Sequence, residues 1–333
     1  MRRSVVWLVA ALVVTLVAAA VVWVVIFVRG PQGTSSAECS VPAVPGPDVT
    51  VVVEGPQTTG AGAAGQAELG ASATASTEIV TAPAVSLTAV QLQHASTINA
   101  IGLSRELPER ARIIAVATAW QESGLRNLPG GDRDSVGLFQ QRPSQGWGTV
   151  AQVGDPVYAS NAFYDALEQV DGWESMSLTA AAQAVQYSGY PDAYAKWEPT
   201  ATTLVRELSG AADLALSCRA GAQGPSPVTA TRTAVSGAAE ANAALGLLLA
   251  DAQAELGGLT VVSATGGAAV LSAQVPGLSD TDAARALAGW LVAHAAGDGV
   301  ADVTVAARRW TTAGWAATDA PAAPGRVSLT LTG

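Results

Sequence analysis

The sequence predicts an α+β chain of 333 residues: a membrane-crossing N-terminal helix, a mainly helical domain, and a small α+β module at the C-terminal end. Three observations predict it. Residues Val5 to Val28 form an uncharged apolar run, and about 20 such residues span a bilayer. Between Ser86 and Leu208 apolar residues recur at helical spacing around one irregular polar insertion. Beyond residue 233 a helical pattern alternates with stretches of period two, such as "VADVTVAARRW" and "RVSLTLT".

Residues 1–29 read as a retained anchor. The apolar run is longer than a signal-peptide core, no small-residue cleavage site follows it, and "SAEC" lacks the aliphatic residue of a lipoprotein signal. Arg2 and Arg3 favour a cytoplasmic N-terminus, against Arg29 on the far side. The expectation is a single-pass protein of the cell membrane, with the bulk of the chain extracytoplasmic. Residues 30–85, rich in Gly, Ala, Ser, Thr and Pro, bury too little to fold alone and read as a flexible extracytoplasmic tether, with "VTVVVEG" as a candidate short strand. Cys39 in the tether and Cys218 are the only cysteines. Outside the membrane they are expected to pair, closing a loop of roughly 180 residues.

The helical domain occupies 86–218. Leu87, Val90, Ala95, Ile98 and Ile101 mark its first helix; Ile113, Val116, Ala117 and Trp120 mark a second, opened near Pro108 and closed at Gly124. Residues 127–150 are a polar insertion. Asp155 with Pro156 opens another helix, Ser177 caps one ending near Tyr187, and Pro199 is expected to break the last. After a linker at 219–233, the module at 234–333 reads as helix (236–256), strands (259–264 and 268–275), helix (280–296) and strands (301–310 and 326–332).

The net charge of −10 and the lack of a basic stripe argue against nucleic acid as a partner. His94 and His294 are the only histidines and fall in different halves, so neither a Ser-His-Asp triad nor a histidine-rich metal site is expected, and no cofactor is implied. "GAGAAG" in the tether lacks the strand and helix of a nucleotide loop.

The chemistry concentrates in "WQESGL" (120–125), "GDRDSVGLFQQRPSQGWG" (131–148) and "AVQYSGYPDAYAKW" (184–197). Glu122 sits in the last turn of an apolar helix, where both burial and the helix dipole disfavour a carboxylate and favour a proton. That suits a general acid. An "ESGL" at a helix end followed by "GLFQ" on a polar hairpin resembles the lysozyme-like superfamily of soluble lytic transglycosylases and goose-type lysozymes. The longer string also resembles membrane-tethered cell-wall proteins of actinobacteria. The resemblance covers roughly residues 86–210.

The resemblance implies a lysozyme-like domain with a small polar hairpin that cleaves the glycan strands of peptidoglycan, as lytic transglycosylase or as hydrolase, with Glu122 as catalytic acid. Ser123 would bond substrate or orient the acid, and Gln140 would line the groove. Gln186, Tyr187 and Tyr190 match the region where the transglycosylases carry a tyrosine–asparagine pair, and they are candidate sugar contacts. Gln141 and Arg142, alternating with Gln140, would face away from the groove or support the hairpin. Trp147, Trp173 and Trp197 are candidates for stacking on sugar rings, for the core or for the cleft wall. Asp132 and Asp134 occupy the region of a water-positioning aspartate in goose-type enzymes; they serve equally as turn residues. A hydrolase needs such a second carboxylate, whereas a transglycosylase does not, because the muramic acid's own hydroxyl attacks. A wall-binding or assembly protein that keeps the groove without turnover is the alternative. In the C-terminal module, "RRW" and "GW" read as a contact surface or as core tryptophans on a hairpin, and the module would serve an unknown protein partner.

Overall fold

The computed structural model describes residues 38–45, 81–189, 192–210, 214–218, 235, 237–239 and 241–332. In chain order, β1 (Glu38–Val41), β2 (Val44–Pro45), β3 (Thr81–Ala82) and β4 (Val85–Thr88) precede α1 (Ala89–Ser104) and α2 (Glu109–Ser123). The short α3 (Val150–Val153), then α4 (Pro156–Glu168), α5 (Leu178–Gln186), α6 (Glu198–Leu208) and β5 (Ser217–Cys218) complete the first half. The second half runs α7 (Ala243–Leu256), β6 (Leu259–Thr265), β7 (Ala268–Ala273), α8 (Asp280–Asp298), β8 (Val300–Val305), β9 (Arg308–Thr311), β10 (Gly314–Ala317) and β11 (Val327–Leu331). The second-half strands form one antiparallel sheet in the order β10-β9-β8-β11-β7-β6.

The fold-class expectation is corrected in its first part. Among the described residues no helix is long and apolar enough to cross a membrane. Residues 1–29, on which the anchor was expected, lie outside the described residues, as does "VTVVVEG". The expected tether also differs. Glu38–Val41 pairs with both β4 and β5 in a three-stranded sheet, with Cys39 opposite Cys218 and bonded to it. Cys39 and Val41 face inward and are fully buried, so alternation over only four residues was enough to fold this piece of an otherwise uninformative stretch.

Local signals explain the helix starts. Thr88 caps α1 in a reciprocal box with Gln91, which moves the start past Leu87, a β4 residue. Asp155 caps α4 and Ser177 caps α5. Pro199 does not break α6 but sits in its first turn, where a missing N–H does no harm. The stretch expected as one strand over 301–310 is two, β8 and β9, because Ala306 turns through positive φ (47°).

The two halves share one core. Helix α8 is buried almost all round its axis and lies between the six-stranded sheet and α1, which is itself buried on nearly every side from Leu92 to Leu103. A helix with no polar face must be covered on all sides. The approach is close at Gly210 (φ 74°), where a Cβ would lie 2.2 Å from the Asp282 carbonyl oxygen.

A buried polar cluster ties the same contact. Glu255 of α7 accepts from Thr97 Oγ1 of α1 (3.0 Å) and from Trp290 Nε1 of α8 (2.6 Å). The His294 ring stacks on Trp290 at 3.8 Å, with Nε2 3.9 Å from Glu255 Oε2. Burial pushes the Glu255 carboxyl up to about 8, helped by the charges of Asp251 and Asp298 and opposed by the bonds from Trp290 and Thr97. Burial pushes His294 down to about 3. Folded Glu255 therefore keeps a proton that the unfolded chain has lost above 4.5, while folded His294 refuses one that the unfolded chain takes up below 6.5.

The first effect lowers stability as pH rises towards 8; the second lowers it as pH falls towards 3. Between 4.5 and 6.5 the two slopes oppose. The melting temperature is expected to be flat there and to fall on both sides, at up to about 1.4 kcal/mol per pH unit for each group. Glu255→Gln should abolish the fall between pH 6.5 and 8; an unchanged alkaline limb would refute this account.

Candidate active site

Helix α2 ends at Gly124, whose left-handed backbone (φ 64°) lets its N–H bond back to Ala119 and Trp120. Glu122 lies half-buried in this last turn. Its Oε1 accepts a 2.6 Å hydrogen bond from the hydroxyl of Tyr194, a fully buried side chain. Burial, then the bond to Glu122 and that residue's charge, hold the Tyr194 hydroxyl well above its ordinary range, so it stays a donor at any ordinary pH. Beside it, Trp120 and Trp197 stack at 5.3 Å, and Trp197 Nε1 donates to Gln121 Oε1 at 2.9 Å. The carboxylate thus has one oxygen fixed by a phenol.

The irregular segment is fastened to this helix end. Ser123 is buried, and its single hydroxyl proton is shared between the carbonyls of Leu138 (2.7 Å) and Ala119 (3.0 Å), while its oxygen accepts from the Arg126 N–H (3.2 Å). These bonds fasten the Ser123 hydroxyl between the end of α2 and the irregular segment. Gln186, at the end of α5, donates to the Phe139 carbonyl at 2.8 Å. Phe139 stacks on Phe163 of α4 at 4.7 Å. "GLFQ" is therefore held from α2 through Ser123, from α5 through Gln186 and from α4 through Phe163. Only isolated bridges, Leu128 with Gly137 and Val136 with Gln141, mark the expected hairpin.

Gln140, Gln186 and Tyr187 line one cleft of about 610 Å³, together with Arg142, Gln145 and Trp147. Tyr187 caps α5 in a left-handed conformation (φ 50°) and is 86% exposed, a ring presented to solvent at the cleft edge. Glu122 is not among the lining residues of this cleft. Gln141, by contrast, is buried and donates to the Ala159 carbonyl. Tyr190 lies outside the described residues.

The two loop aspartates separate in character. Asp134 accepts from the Ser144 backbone N–H (2.7 Å), from Arg142 Nε (2.9 Å) and from the Ser144 hydroxyl (3.0 Å). These bonds, the Ser144 N–H first and Arg142 next, hold its carboxyl well below the usual carboxylate range. Asp132 has a 92% exposed side chain, 3.9 Å from Arg133 Nε.

Tyr194 is the site residue that sequence reading missed. Trp173 is buried in the core, and Trp197 belongs to the ring pair behind Glu122. Among the described residues no group of three or more His, Cys, Asp or Glu side chains is placed to hold a metal ion. Neither the protein-family models nor the curated proteins compared with this chain match it.

Proposed function

We propose that the chain cleaves the glycan strands of peptidoglycan, with Glu122 as the general acid that protonates the departing glycosidic oxygen. The observation that carries this reading is the Tyr194–Glu122 hydrogen bond at the end of an apolar helix. It fixes one carboxyl oxygen and leaves the other to meet a substrate. Gln140, Gln186 and Tyr187 would bind the sugars, the amides through hydroxyl and N-acetyl groups and the tyrosine through its ring face. The Cys39–Cys218 bond supports action in an oxidising, extracytoplasmic compartment.

Within that reading we favour the transglycosylase route. Hydrolysis asks a second carboxylate to attack or to activate water. Asp134 is committed to three donors, and so low a proton affinity makes a weak base. In the alternative route the substrate's own hydroxyl attacks and a 1,6-anhydro product forms. Asp134→Asn is then expected to lower the melting temperature, by loosening the Arg142–Ser144 turn, while leaving turnover per folded molecule within about threefold, far short of the loss typical of an acid–base group.

Digestion of purified sacculi, with products separated by mass, tests the proposal. Anhydro-muropeptides are the expected products. Reducing ends would transfer the reaction to hydrolysis, and intact glycan with retained binding would leave a wall-binding protein.

A further inference from the structure

The C-terminal module has four arginines, Arg285, Arg308, Arg309 and Arg326, and no lysine. Arg309 pairs with Asp302 on the sheet. The other three line a single cleft of about 390 Å³, formed by the first turns of α8, the β8–β9 turn and residues 322–326 ahead of β11. Its remaining walls are mostly small and apolar, among them Leu214, Ala284, Val305 and Pro324. Leu214 comes from the other half of the chain, so the cleft is complete only when the halves pack.

No acidic side chain lines the cleft. Asp280 and Asp282 flank it on α8, Asp280 beside Gly325. Arg285 reaches Asp282 at 3.4 Å, between side chains more than a third exposed, a weak pairing. Arg308 Cζ lies 5.7 Å from the centre of the Trp315 ring, a cation–π contact that leaves the guanidinium without a carboxylate partner among the described residues. Arg326 makes no ion pair among the described residues.

Three arginines line one cleft of a chain of net charge −10, and only Arg285 has a carboxylate partner among the described residues. Their forked donors match a carboxylate bidentately. Apolar walls suit a ligand body of small apolar side chains and give nothing to a bare hydrated anion. We propose that this cleft binds the free terminal carboxylate of a short peptide of small apolar residues.

The proposal concerns binding alone and stands whether or not Glu122 cleaves glycan. Calorimetric titration of the full chain with N-acetyl-dialanine, as the L,L and the D,D isomer, is expected to show saturable binding of at least one. The isomers separate a protein C-terminus from a stem peptide of the cell wall as the source. The C-terminal amide of the same peptide should bind about tenfold more weakly or less, and so should the acid to Arg326→Gln or Arg308→Gln, as expected for a lost charge-assisted hydrogen bond. On the unaltered chain, binding should slow hydrogen exchange in residues 305–308 and 322–326, a readout independent of how the variants fold. Absence of binding by both isomers, equal binding of the amide, equal binding of inorganic phosphate, or protection elsewhere in the chain would each overturn the proposal.

Discussion

Glu122→Gln is expected to leave the melting temperature nearly unchanged and to lower glycan cleavage by about 10²–10⁴-fold, the usual worth of a positioned acid–base group. The amide fills the same space and still accepts from the Tyr194 hydroxyl, so the packing of Trp120 and Trp197 is preserved. What it loses is the transferable proton. The defect should fall in kcat with little change in KM, because proton donation stabilises the transition state and not the bound ground state. Tyr194→Phe is the companion experiment: it keeps the ring in the core and removes the donor, so cleavage should fall by about tenfold through loss of orientation, again in kcat. Near-normal cleavage by the glutamine variant would remove Glu122 from the mechanism altogether.

The second large effect lies in the Cys39–Cys218 bond. The partners are 179 residues apart, and a closed loop of that length restricts the unfolded chain by about 5 kcal/mol in the loop-entropy model. Domain stabilities are typically about 5–15 kcal/mol, so a third or more of the total depends on one bond. Besides this entropy, β1 is a four-residue strand, and the bond fastens it to β5. Replacing both cysteines by serine is expected to lower the urea midpoint sharply, and reductant should do the same to the natural chain. A midpoint unmoved by reductant would show that sheet pairing alone holds β1.

Legibility followed the range of the interaction. Caps at Asp155 and Ser177 were readable because a side chain and the N–H groups it accepts from lie within three residues. Glu122, Gln140, Gln186 and Tyr187 stood out in the sequence as candidates by residue type, but not the fold that brings Gln140, Gln186 and Tyr187 to one cleft. Whether Ser123 faces sugar or protein depends on Leu138, which arrives from fifteen residues away. Tyr194 was hidden for the same reason: "PDAYAKW" has no period that marks a tyrosine as aimed at a helix end 72 residues earlier. The turn at Ala306 was hidden differently, since a non-glycine residue at positive φ leaves no mark in the letters. The division of the chain into separate modules misled because linker composition marks where a chain may be extended, not which surfaces later meet. The contrary signal was present in "ALAGWLVAHAA", a helix without a polar side, which needs cover on more faces than one sheet supplies.

The doubly covered α8 has a consequence for how this protein can be divided. A chain made as two polypeptides, 1–218 and 234–333, would keep every contact that α8 makes with α1 and every bond of the Glu255 cluster, while each piece alone would expose a broad apolar surface. The pieces are thus suited to act as a complementing pair: neither is a finished protein, and recognition between them is the folding reaction itself, resumed between two molecules.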